Sequence, residues 1–226
     1  MKYPLILIGA LLCAAPFAAA APAPASAADK AAGVAGAASA ASVAGATLPF
    51  DREVINRYSL GGRPRSLSLR QGSDVWLGYD LEQAKAFKVW QAPAGKPGVL
   101  MAVFVARASG TMWFDDSSND TWQLQRSGQT VSLAVRYLGC SQRETYFELA
   151  WELKHDTGVL KLRERIARAG APAPDRVVRE LRVESLAAGE ALLPPPTMRQ
   201  AWTLTARGKT SAPALVGADW HRFTLP

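Results

Sequence analysis

The chain has 226 residues, with 26 lysines and arginines against 19 aspartates and glutamates and a formal net charge of +7. The basic residues are interspersed with acidic ones and nowhere form a run of five or six, which argues against a nucleic-acid partner. No apolar segment reaches the roughly 20 residues that a membrane-spanning helix needs.

Residues 1–27 read as a secretory signal peptide. Lys2 supplies the positive start, 4–17 (PLILIGALLCAAPF) the apolar stretch, and Ala18-Ala19-Ala20 or Ala25-Ser26-Ala27 the small-residue cleavage site. Cys13 follows Leu12 in the middle of that stretch, where a lipid-attachment cysteine would follow a small residue at its end, so it is read as part of the apolar stretch. The expected location is the periplasm or the exterior. Cleavage would remove Lys2 and no acid, leaving a charge of about +6, and would leave Cys140 as the remaining cysteine of this sequence. No internal disulfide is then expected, and the fold must rest on its apolar core. Cys140 lies in an alternating apolar run and is read as a packed thiol, with an intermolecular disulfide as the alternative. Residues 28–48, almost entirely Ala, Gly, Ser and Val, read as a disordered linker. Residues 49–226 are expected to form a single domain.

Within that domain the apolar period is two. Val75, Leu77, Tyr79 and Leu81 form one arm of an expected hairpin, and Phe87, Val89 and Gln91 the other. Residues 130–139 alternate with Val131, Leu133, Val135 and Tyr137 on one face. Residues 145–153 do so with Thr145, Phe147, Leu149, Trp151 and Leu153. The polar turn at 155–158 should fold residues 144–154 onto 159–167, where Leu160, Leu162, Glu164 and Ile166 share the inward row. A carboxylate in that row is anomalous and is expected at a sheet end. Further strands are expected at 65–70, 98–106, 111–114, 121–126, 176–187, 200–206 and 218–224. The segment 176–187 also fits an amphipathic helix, but its valines favour strand. Strands recurring at this spacing between Gly, Pro, Asp and Asn predict an all-β antiparallel sandwich.

Motifs for haem attachment, zinc proteases, serine hydrolases, P-loops and dinucleotide binding are absent from the sequence, and no cofactor or metal is expected. His155 is read as a solvated turn residue and His221 as a strand-edge residue; neither has a partner at metal-ligand spacing. Glu148 and Glu152 are read as cross-strand-paired rather than catalytic. The most site-like stretch is 110–122 (GTMWFDDSSNDTW), which sets Trp113, Phe114 and Trp122 around Asp115, Asp116, Asn119 and Asp120. Oxygen-rich side chains so close together suit Ca²⁺, though the spacing is not that of the twelve-residue calcium loop. Aromatics beside polar groups suit a sugar. An ordinary turn with inward-packed tryptophans is the third reading.

The segments 53–58, 64–69, 76–80 (Trp76-Leu77-Gly78-Tyr79-Asp80) and 87–91 (Phe87-Lys88-Val89-Trp90-Gln91) occur in an order that resembles a β-rich module of secreted bacterial proteins. Residues 135–139, 146–154 and 159–166 fall where that module has later strands, so the resemblance covers about 50–170. Gln91-Ala92 stands where the module has Arg-Gly. In the proteins it resembles, the module often accompanies c-type cytochrome domains or sorbosone-type, quinone-dependent sugar dehydrogenase domains, and it brings no catalytic residues with it. The resemblance implies an extracytoplasmic redox or sugar-oxidising partner. The expected function is therefore a non-catalytic binding or accessory module. A carbohydrate-active enzyme or sugar-binding protein, and a structural envelope-interaction protein, are the alternatives.

Overall fold

The computed structural model describes residues 52–168, 177–206, 209–210 and 214–225. The expected signal peptide and linker lie outside the described residues. The fold is all-β, and no helix among the described residues is long and apolar enough to cross a membrane.

The first sheet is built from β1 (Val54–Leu60), β2 (Arg63–Gln71), β3 (Val75–Asp80), β4 (Lys85–Gln91), β5 (Val99–Ala102), β6 (Val105–Ala108) and β7 (Thr111–Asp115), ordered β5-β6-β1-β2-β3-β4-β7. Its connections are antiparallel except for β1, which lies parallel to β6 with Ser59 opposite Val105. The β1–β2 turn is Gly61-Gly62, with φ of +56° and +86°. Two successive positive φ values are what a tight hairpin turn demands, and glycine meets them without steric cost. The sheet curls around a small core of its own, where Trp76 and Trp90 stack at 6.2 Å. Trp90 donates its indole N–H to the Gly98 carbonyl at 2.6 Å, which brings the start of β5 across to β4. A Cβ on Gly98 would stand 2.0 Å from the Trp76 indole nitrogen, so this closure requires glycine.

The second sheet joins β10 (Ala134–Gln142), β11 (Tyr146–His155), β12 (Gly158–Ala167), β13 (Val177–Glu184), β15 (Thr203–Ala206), β16 (Lys209–Thr210) and β17 (His221–Leu225), ordered β10-β11-β12-β13-β17-β15-β16. A three-stranded sheet of β8 (Gln123–Arg126), β9 (Gln129–Ser132) and β14 (Glu190–Leu193) completes the strands. The main core gathers Leu67, Leu69, Leu77 and Tyr79 from the first sheet, Phe147, Leu149, Trp151, Leu160 and Leu162 from the second, and Leu124 and Leu192 from the third. Helix α1 (Pro196–Ala201) begins with proline at its first position, where no N–H is needed, and buries Met198.

Several expectations need correction. Residues 130–139 are not one strand: Leu133 separates β9 from β10, and the two belong to different sheets. Residues 98–106 are the start of a hairpin that turns at Val103-Phe104. The strand expected at 200–206 starts at Thr203, because Pro196 opens the helix before it. Phe87 and Val89 do not share a face. Gly78 pairs with Lys88 and Tyr79 with Ala86, so Phe87 is the extra residue of a bulge and turns into the smaller core. Strand β1, β14 and the helix carry no strong period of their own in the sequence.

Glu164 is not at a sheet end. It is fully buried in the middle of β12, paired with the equally buried Arg179 of β13. The guanidinium donates Nε to Glu164 Oε1 at 2.5 Å and Nη2 to Oε2 at 2.8 Å. Tyr79, from the opposite sheet, donates its hydroxyl to Oε1 at 2.5 Å. Arg179 also lies 4.8 Å from the Trp202 ring centre. Burial alone would lower the guanidinium pKa, but the Glu164 carboxylate overrides it and holds Arg179 firmly protonated. Glu164→Ala, which leaves Arg179 charged and alone in the core, is expected to cost about 3–5 kcal/mol by urea unfolding. Replacing the pair with Glu164→Leu and Arg179→Met should cost less than that single change.

Candidate functional site

The 110–122 stretch is divided by the fold. β7 pairs with β4, placing Phe114 opposite Val89 and Asp115 opposite Lys88. Phe114 turns inward and meets Trp202 edge-on at 6.0 Å. Trp122 is fully buried and donates its indole N–H to the Ala84 carbonyl at 2.8 Å. Its place is in the core, not at a ligand. Trp113 is the aromatic left outside, 43% exposed.

The polar tip is held by cations of the protein itself. Asp116 is buried, takes a bond from Lys85 Nζ at 2.9 Å, and accepts from the Thr197 hydroxyl at 2.6 Å. Burial pulls its pKa up, but the bonds from Thr197, Ser118 and Lys85 outweigh this and hold it below the usual carboxylate range. Asp115 pairs with Lys88 at 2.5 Å. Arg63 donates to Asn119 Oδ1 at 2.8 Å and to the carbonyls of Ser117 and Ser118 at 2.7 and 2.6 Å. Main-chain and amide oxygens of this kind are what a calcium ion uses, and here a guanidinium occupies them. Asp120 accepts no bond from these cations; its N–H points to the Ser118 hydroxyl at 3.3 Å. Asp115, Asp116 and Asn119 border a depression of about 580 Å³ with Gly61, Gly62 and Arg63. No cluster of three or more His, Cys, Asp or Glu able to hold a metal occurs among the described residues.

The two histidines also sit otherwise than expected. His155 is nearly buried, its Nδ1 3.0 Å from Arg126 and beside Asp156 and Thr157. His221 is buried on β17, an inner strand, with Nε2 3.2 Å from the Val216 carbonyl. Glu148 and Glu152 are paired as expected: Glu148 with Arg163 and Arg165 at 3.0 and 2.8 Å, Glu152 with Arg136. The two arginines keep Glu148 below the usual range against the opposing effect of burial.

A larger groove, of about 770 Å³, opens between the β1–β2 end of the first sheet and β10, the edge of the second. Tyr58, Phe104 and Tyr137 give it aromatic walls, and Asn56, Ser59 and Arg65 give it polar ones. Cys140 also lines it. These positions come from four separate elements, and none stands out in the sequence. The closest signal is the run 99–106 (VLMAVFVA), which reverses direction without a turn residue.

Cys140 is half-buried and free, and burial pushes its thiol up to about 11. Burial likewise raises Tyr58, Tyr79 and Tyr137 above the ordinary phenol range. Each group holds its proton longer when folded. The stability they contribute is complete at neutral pH and falls as pH rises past the values these groups have in the unfolded chain, by at most about 1.4 kcal/mol per unit for a buried group and by less for Cys140 and Tyr137, which solvent partly screens. Alkaline unfolding monitored from pH 8 to 11 should show this decline, and Cys140→Ser should remove the share that begins lowest, near pH 9. Calcium at millimolar concentration should leave the melting temperature of the protein unchanged, whereas Arg63→Ala should loosen the 117–119 tip and speed its proteolysis. Comparison of the chain with family models, with curated proteins and with solved structures finds no match.

Proposed function

We propose that the domain is an exported, non-catalytic binding module whose ligand site is the groove between β1–β2 and β10. The observation that carries this reading is the lining of that groove: the Phe104 and Tyr137 rings beside the Asn56 amide, the Ser59 hydroxyl and the Arg65 guanidinium, around about 770 Å³. Such a volume lies within the range of small-molecule sites, which pair apolar walls with a few polar groups that fix orientation. Flat aromatic walls with hydroxyl- and amide-bonding neighbours suit a mono- or disaccharide. The carboxylates at the tip and on β11 are tied to arginines and lysines, which leaves them poorly placed to trade protons with a substrate. That favours binding over hydrolysis.

Residues 1–27 support export, and the resemblance over 50–170 supports an extracytoplasmic redox or sugar-oxidising enzyme as the partner that receives or presents the ligand. A thermal-shift and calorimetric screen of neutral sugars, sugar acids and sugar lactones tests the reading. At about a hundredfold excess over Kd, a true ligand adds about 2.7 kcal/mol, or several degrees of melting temperature for a domain of this size. Tyr137→Phe, which keeps the ring packed on Trp151, and Asn56→Ala, at an exposed position, should each cut that shift while leaving the unliganded melting curve near its place. If no sugar shifts the curve, or if the shift survives both substitutions, the groove is not a sugar site.

A further inference from the structure

The β5–β6 hairpin presents an apolar tip to solvent. Val103 is 83% exposed, Phe104 73%, Val105 52% and Leu100 45%. Val103 has φ +57°, in the left-handed region that β-branched residues avoid. A two-residue hairpin turn with positive φ at its first position calls for glycine there, and polar residues are usual beside it. Here Val-Phe stands in that place, at a cost in backbone strain and solubility that the fold itself does not repay. The tip is not loose, because the Ser59 N–H donates to the Phe104 carbonyl at 2.9 Å and pins it to β1.

Along the hairpin and its flanks the charge has one sign. No aspartate or glutamate occurs from residue 83 to residue 114, whereas Lys96 precedes β5 and Arg107 sits on β6 directly across from Leu100. Both are exposed. Across the groove, Arg65 is also largely exposed, with Glu82 as its 3.6 Å partner. Arg107 stands two residues from Val105, about 7 Å along the strand. That is the depth that separates inserted side chains from headgroups for an interfacial anchor.

We propose that the β5–β6 tip is a membrane-surface anchor, with Val103, Phe104 and Val105 entering the acyl boundary of an anionic bilayer while Arg107 and Lys96 meet its phosphates. A second copy of the chain is a weaker fit. Pairing along the free edge of β5 would cover Val99–Ala102 and leave the most exposed residues, Val103 and Phe104, in water. A lipid surface covers the tip itself and asks no hydrogen bonds of it. The tip shares Phe104 with the wall of the neighbouring groove, but the inference stands on the tip's exposure and charge and is tested without sugar present.

The test is co-sedimentation of the protein, as its expression host processes it and with its N-terminus fixed by intact mass, with two kinds of vesicle. One is pure phosphatidylcholine; the other carries about 30 mol % phosphatidylglycerol, enough to attract clustered Lys and Arg. Binding should be confined largely to the anionic vesicles and should weaken as salt rises. V103G/F104N, which installs the favoured turn chemistry, should fold at least as stably and bind about tenfold or more weakly. K96E/R107E should also bind more weakly while keeping the native circular dichroism spectrum. Failure to sediment with either vesicle overturns the proposal. So does vesicle binding that V103G/F104N retains, since it then comes from elsewhere in the chain. A dimer in analytical ultracentrifugation that V103G/F104N dissolves, without vesicle binding, assigns the tip to self-association instead and equally overturns it.

Discussion

The clasp of Glu164, Arg179 and Tyr79 is the constraint on which the two-sheet arrangement turns. Two charges in an apolar interior are tolerable only when they are closely paired, and here Nε and Nη2 of Arg179 bond the carboxylate, Tyr79 bonds it from the other layer, and Nη1 meets the Met198 sulfur at 3.8 Å. Tyr79 belongs to the first sheet and the ion pair to the second, so the bond fixes how one sheet sits over the other. A slip of one residue along β12 would carry Glu164 to the charged outer face and leave Arg179 stranded. The register of the layers and the satisfaction of the buried charge are therefore the same condition.

The second sheet was largely legible in the sequence because it is buried on one side. Leu149, Trp151, Leu160 and Leu162 are buried while Glu148, Lys161 and Arg163 on the other face are not, so period two survives in the letters. The first sheet obscures that period. Its middle strands are covered on both faces, with Trp76 on one core and Leu77 on the other, and bulges shift the phase within β4. The buried Glu164 was visible as an anomaly, but its explanation lies in Arg179 and Tyr79, and no local rule connects them.

The 110–122 stretch shows the same limit at the level of a site. Its acids and aromatics could be read directly, yet which of them face outward depended on partners supplied by β2, β4 and the short helix. Arg63, Lys85, Lys88 and Thr197 neutralise or tie the tip from positions remote in sequence. A cluster of oxygen ligands is thus closed by the protein's own cations. The groove, assembled from β1, β2, the β5–β6 tip and β10, left no more local trace than the turnless apolar run at 99–106.

The parallel pairing of β1 with β6 also shapes how the chain reaches this structure. The hairpins β3–β4 and β11–β12 join neighbours in sequence and close cheaply. The contact between residues 59 and 105, like that between β13 and β17, must wait for a long loop to be drawn in. Topologies rich in such distant pairings fold slowly. Until β6 docks, β1 has one open edge, and the small core around Trp76 and Trp90 lacks the strand that closes it. An unclosed edge of this kind is a template for pairing with other chains. A chain built this way depends on time and on protection from its neighbours between synthesis and the docking of β6.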